Sequence, residues 1–138
     1  MTAISMSFRF AALAVTGLAL ASCQSGSKGT SQPAGKSAAL RTMEQVATAA
    51  HKCWIASKDP AFRPYQMANE LNNFGGTPRF LLVPARHYGG KPLLVVQATG
   101  NSSRVDVFGP LMGEALGARI SADIARWQGG NSSCAAAA

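Results

Sequence analysis

The residues of this 138-residue chain that could do chemistry are three cysteines, two histidines and six carboxylates. The acids are Glu44, Asp59, Glu70, Asp106, Glu114 and Asp123, and none stands in a recognisable acid/base motif. His51 falls in a segment of helical spacing, seven residues from Glu44, and His87 lies in the loop sequence Arg86-His87-Tyr88-Gly89-Gly90. A metal site needs several converging His, Cys or carboxylate ligands. Neither histidine has a partner at ligand spacing, so no metal and no cofactor is expected. There is no Gly-x-Ser-x-Gly elbow and no phosphate-binding glycine loop. No Cys-x-x-Cys pair occurs, which argues against thioredoxin-like redox chemistry. One catalytic reading stays open: a loop-built site using Glu70, His87 and Tyr88 on a cell-wall or lipid substrate.

Cys23 is the cysteine with the most informative surroundings. Phe10 to Ala21 reads FAALAVTGLALA, an apolar run behind the single cation Arg9. It is too short to span a bilayer, which takes about 20 residues, and has the length of a signal-peptide core. Leu20-Ala21-Ser22-Cys23 follows directly and resembles the lipobox of bacterial lipoproteins. The resemblance covers residues 1–23 and implies nothing about the fold beyond them. It implies that residues 1–22 are removed, that the Cys23 thiol carries a diacylglycerol, and that the new amine is often acylated too. Several acyl chains anchor stably where one does not. Gln24 stands where an Asp would suggest inner-membrane retention in many such proteins. The expected location is therefore the outer membrane, facing the periplasm.

Once Cys23 is lipidated, Cys53 and Cys134 remain. An even pair in the oxidising envelope usually forms a disulfide. Such a bond would clasp the end of a first helix to the chain following a second.

The elements that would carry these residues are readable in outline. Residues 24–36, QSGSKGTSQPAGK, contain no large apolar side chain and read as a flexible tether. Ser37 is a candidate N-cap, and Leu40, Met43, Ala47, Ala50 and Trp54 recur at helical spacing, predicting an amphipathic helix over 38–56. Asp59-Pro60 ends it. Residues 60–76 are ambiguous: Tyr65, Met67 and Leu71 suggest a strand, whereas residues 66–71 also suit a helical turn. Strands are expected at 79–84, 92–99 and 104–108, joined by short turns around Gly89-Gly90 and Gly100-Asn101. The 92–99 segment is the most apolar of the mature domain and is expected at the centre of the sheet, because at an edge it would invite aggregation.

Met112, Leu116, Ile120, Ile124 and Trp127 predict a second helix over 112–128, ended by Gly129-Gly130. Asp123, three residues from Arg126 and four from Arg119, reads as part of a solvated face with weak ion pairs. Gly113 and Gly117 form a small-xxx-small pattern suited to close packing. The order predicts an α+β domain over 37–134: a helix, a three- to four-stranded antiparallel meander and a second helix, followed by a tail at 135–138.

Composition narrows the function classes. The hydrophobic fraction of 47% suits one small domain. The net charge is +7, and loss of Arg9 with the leader leaves +6. A basic balance suits an anionic neighbour, and export makes nucleic acid the least fitting one. The middle strands are apolar at successive positions, as in Leu93-Leu94-Val95-Val96, which describes strands buried on both faces. Two helices could cover one face each. If both cover the same face, the other requires residues 60–76, a second copy or a ligand.

The expectation is a lipid-anchored, non-catalytic interaction module of the envelope, working through a sheet face or basic patch. Arg79, Arg86, His87 and Lys91 form the candidate rim. Its candidate partners are the membrane through Cys23, an envelope protein or anionic polymer, and a second copy through the sheet face. A small anionic or apolar ligand on that face is the further alternative.

Overall fold

The computed structural model describes residues 35–135. The lipobox-like segment, most of the expected tether and the end of the expected tail lie outside the described residues. Helix α1, Ala38–Ala50, begins where Ser37 Oγ accepts a hydrogen bond from the Leu40 amide at 3.1 Å, the predicted cap. It continues through a wider π-type turn over His51–Ala56, which carries Cys53 and Trp54 inward. Lys58 takes a positive φ and Asp59 starts a 3-10 turn over Pro60–Phe62.

The ambiguous stretch resolves as strand β1, Tyr65–Glu70. It is followed by β2, Arg79–Pro84, β3, Leu94–Ala98, and β4, Val105–Phe108. The four form an antiparallel meander in the order β1-β2-β3-β4. The apolar segment is therefore central, and the fold is the expected α+β domain.

The second helix, α2, spans Gly117–Gln128 and starts later than its apolar stripe suggests. Gly109 has φ 132, and a Cβ there would lie 2.6 Å from the Leu93 carbonyl oxygen, so the chain turns where only glycine fits. Pro110–Gly113 forms a 3-10 turn, and Glu114 is extended, which breaks the helix. Met112 and Leu116 still pack against the core. Gly117 lies against the backbone of Met112, whereas Gly113 has open space around it and stands outside α2, so the two glycines do not form one packing face.

Both helices cover the same face of the sheet. Trp54, Phe62, Phe80, Leu82, Val96 and Trp127 lie at the heart of this main core. Trp54 stacks on Phe62 at 4.6 Å and meets Trp127 at 5.0 Å. Cys53 and Cys134 are disulfide-bonded, closing a sequence separation of 81 residues. The bond holds the chain after α2 against the end of the first helix, where the Ser133 carbonyl accepts from Trp127 Nε1 at 2.9 Å.

Asp123 departs from expectation. Its ion pairs with Arg119 and Arg126 exist, but the carboxylate is only 1% exposed and accepts from Trp54 Nε1 at 2.8 Å. The solvated face predicted for it is instead an internal ionic junction. The reason is a donor 69 residues away in sequence, which helical spacing cannot reveal.

Arg119 also pairs with Asp59 and lies over the Phe62 ring. The Arg119 hydrogen bond holds the Asp59 carboxyl below its ordinary range, with the Ala61 amide assisting and burial opposing. A carboxyl whose folded pKa is depressed contributes stability above its unfolded pKa, and this is lost as pH falls below about 4. Asp59→Ala, which also removes the turn cap, should cost about 1–2 kcal/mol at neutral pH. Urea midpoints of parent and variant should converge as pH falls from 5 toward 2. An unchanged gap would rule out the carboxylate as its source.

Candidate interaction surfaces

Register shows what the helix-free face of the sheet carries. Ala68 stands opposite Leu81, Leu81 opposite Val95, and Val95 opposite Phe108, so one apolar row crosses all four strands. Val83 joins Ala68, Leu81 and Val95 in a second, smaller cluster in which Ala68, Leu81 and Val83 are themselves buried, so the exposed apolar part of this face is Phe108, 48% exposed, with half-buried Val95 beside it. The neighbouring row is Glu70, Arg79, Gln97 and Asp106. It is internally neutralised: Arg79 Nε reaches Glu70 Oε2 at 2.6 Å and Arg104 Nε reaches Asp106 Oδ1 at 3.3 Å. Among the described residues no helix lies on this face. Residues 65–70 became an edge strand of the sheet, so they do not cover it.

The four rim residues separate into two places. Arg79 begins β2, and its side chain is committed to Glu70. Arg86, His87 and Lys91 lie in the β2–β3 connection, about 17 Å of strand away. That connection is two successive tight turns, the His87 amide donating to the Pro84 carbonyl and the Gly90 amide to the His87 carbonyl. The same separation divides Glu70 from His87 and Tyr88, so β2 stands between the members of the loop-built catalytic reading. Among the described residues no three His, Cys, Asp or Glu side chains converge as metal ligands.

Sequence reasoning missed a groove between α1 and β1, of about 560 Å³. Ala47, Thr48 and His51 line it from the helix, and Met67, Asn69 and Leu71 from the strand, with Glu44 at one end. The signal was present in part: Met67 and Leu71 are apolar and fall on one side of the stretch 65–71. That β1 is an edge strand, with this groove beside it, follows only from sheet order. Phe74 and Tyr88 project as exposed aromatics from the loops at opposite ends of β2.

No protein-family model, curated protein or solved structure matches this chain.

Proposed function

We propose that this protein is a lipid-anchored, non-catalytic interaction module of the bacterial cell envelope, tethered through Cys23, that docks an envelope protein on the helix-free face of its sheet. The carrying observation is the exposed ring of Phe108 beside half-buried Val95, at the open end of the apolar row that continues into buried Leu81 and Ala68, edged by the charged row Glu70-Arg79-Gln97-Asp106. An apolar strip rimmed by polar groups is the form protein-binding surfaces take. The neighbouring ion pairs favour a protein over an anionic polymer, because that row offers paired charges rather than a basic field. The acids Asp59 and Asp123 are engaged in holding the fold, and Glu44, Glu70 and Asp106 each face a cation.

The anchor and the surface are tested separately. Cys23→Ser should shift the protein out of the membrane fraction or leave it unprocessed. Normal processing and fractionation would remove the anchor from the reading. A photo-crosslinking residue at position 108 should capture one envelope protein in intact cells, whereas the same residue at Ser121 on α2 should not. Phe108→Glu should reduce capture from a crosslinker at Val95 at least tenfold. Equal capture from Ser121, or none from 108, would remove the sheet face.

A further inference from the structure

β1 is an outer strand, and its free side has a defined hydrogen-bonding pattern. The Ala85 amide donates to the Pro64 carbonyl at 2.8 Å, just beyond the β1–β2 ladder. Antiparallel pairs alternate between bonded and non-bonded residues. The register Gln66↔Val83, Ala68↔Leu81 and Glu70↔Arg79 therefore takes the inward bonds. The Ala98 amide donates to the Pro78 carbonyl, which puts the bonds to β3 on the alternate residues of β2 and agrees with this phase. Tyr65, Met67 and Asn69 then turn their N–H and C=O groups outward. Among the described residues nothing pairs with them.

Natural edge strands are usually protected by proline, lysine, a bulge or shortness. β1 has six residues in unbroken register with no proline, lysine or bulge, and its one charge, Glu70, stands at its end and is paired with Arg79. β4, the opposite edge, has four residues and runs into Gly109-Pro110.

We infer that β1 pairs antiparallel with β1 of a second copy about a twofold axis at Met67, joining two sheets into one of eight strands. This surface is distinct from the sheet face proposed above. The register with Met67 opposite Met67 uses all three outward residues, since Tyr65 then meets Asn69 in both directions. Gln66 lies opposite Ala68 and Glu70 opposite Pro64, so no like charges face each other. The groove supports the same axis. Glu44 and His51 sit two helical turns apart, about 10 Å, along its α1 wall. A twofold reverses that order, bringing the Glu44 end of one groove, where Lys36 already pairs with the carboxylate, to the His51 end of the other. Isologous contacts need this self-complementarity. A foreign strand would gain the same backbone bonds, but nothing in the groove specifies its side chains.

The test uses the mature, full-length lipoprotein in detergent micelles and in native membranes. Met67→Cys should crosslink to itself under mild oxidation, because directly opposed residues sit about 5.5 Å apart between Cα atoms, within disulfide reach. Gln66→Cys, whose copy lies diagonally, should crosslink at one-tenth that level or less. Met67→Pro should lower the dimer fraction at least tenfold by sedimentation, because it removes an outward N–H. It should leave the Cys53–Cys134 bond and the thermal midpoint near those of the parent, since proline is tolerated at an edge when its N–H would face outward.

A monomer at about 100 µM, or equal crosslinking from 66 and 67, would overturn the inference. So would a foreign protein crosslinked at 67 in place of the second copy. If Met67→Pro unfolds, the two cysteine variants decide. Crosslinking from position 108 to an envelope protein is read independently, so either surface can fail alone.

Discussion

Replacing Cys53 and Cys134 with serine should lower the thermal midpoint by about 18–36 °C. The bond spans 81 residues, and the loop-entropy relation gives about 4.5 kcal/mol for a closure of that length. A domain near 100 residues loses roughly 4–8 °C per kcal/mol, and its total stability is of order 5–15 kcal/mol. The folded state loses contacts as well. Residues 131–135 are held by the bond, by the Ser133 carbonyl accepting from Trp127 and Arg126, and by the Asn131 amide donating to the Arg126 carbonyl. Freed of the bond, that strap should fray and expose the edge of Trp127, which is otherwise fully buried. Thermal unfolding by circular dichroism, with and without reductant on the parent, measures the effect. A shift below about 5 °C would mean the closure contributes little beyond local order.

The parts of this fold visible in the sequence are those set by local chemistry. Ser37 announced the start of α1 because a hydroxyl at that place satisfies an otherwise unpaired amide. Arg79–Pro84 and Leu94–Ala98 announced themselves through consecutive branched and aromatic side chains, and centrality followed from how dangerous such a strand is at an edge. The disulfide followed from parity once Cys23 was assigned to lipid.

The remainder depends on contacts between distant segments. Tyr65–Glu70 has mixed local preference and becomes a strand because β2 offers it a ladder. Doubly apolar strands fit helices on both faces or on one, and only the packing of α1 against α2 over Phe80, Leu82 and Val96 decides. The candidate rim grouped basic residues because they flank the strands, yet seven positions of largely extended chain divide Arg79 from Arg86. The α1/β1 groove needs sheet order, helix placement and bonding phase together, and none of these is local.

Asp123→Ala should destabilise the domain by about 3 kcal/mol. The carboxylate is buried and accepts from Trp54 while facing Arg119 and Arg126. Removing one member of a buried ionic group leaves the others unpaired, which costs up to about 3–5 kcal/mol when they cannot reach water. Here the arginines are about a quarter to a third exposed, and each keeps another partner, Asp59 for Arg119 and the Ser133 carbonyl for Arg126. Their share is therefore reduced. The indole N–H of Trp54 has no such escape, since Trp54 is 1% exposed, and an orphaned buried donor costs about 1–3 kcal/mol. Asp123→Asn keeps an acceptor for that N–H and loses only the charge, so it should cost about half as much as alanine. Trp54→Phe combined with Asp123→Ala should be less damaging than the sum of the two, with a coupling of about 1–2 kcal/mol, because the phenylalanine leaves no donor to orphan. Denaturant midpoints for the parent and the four variants test this ordering. If alanine and asparagine cost the same, the charge rather than the indole hydrogen bond holds the junction, and additivity in the double variant would say so a second time.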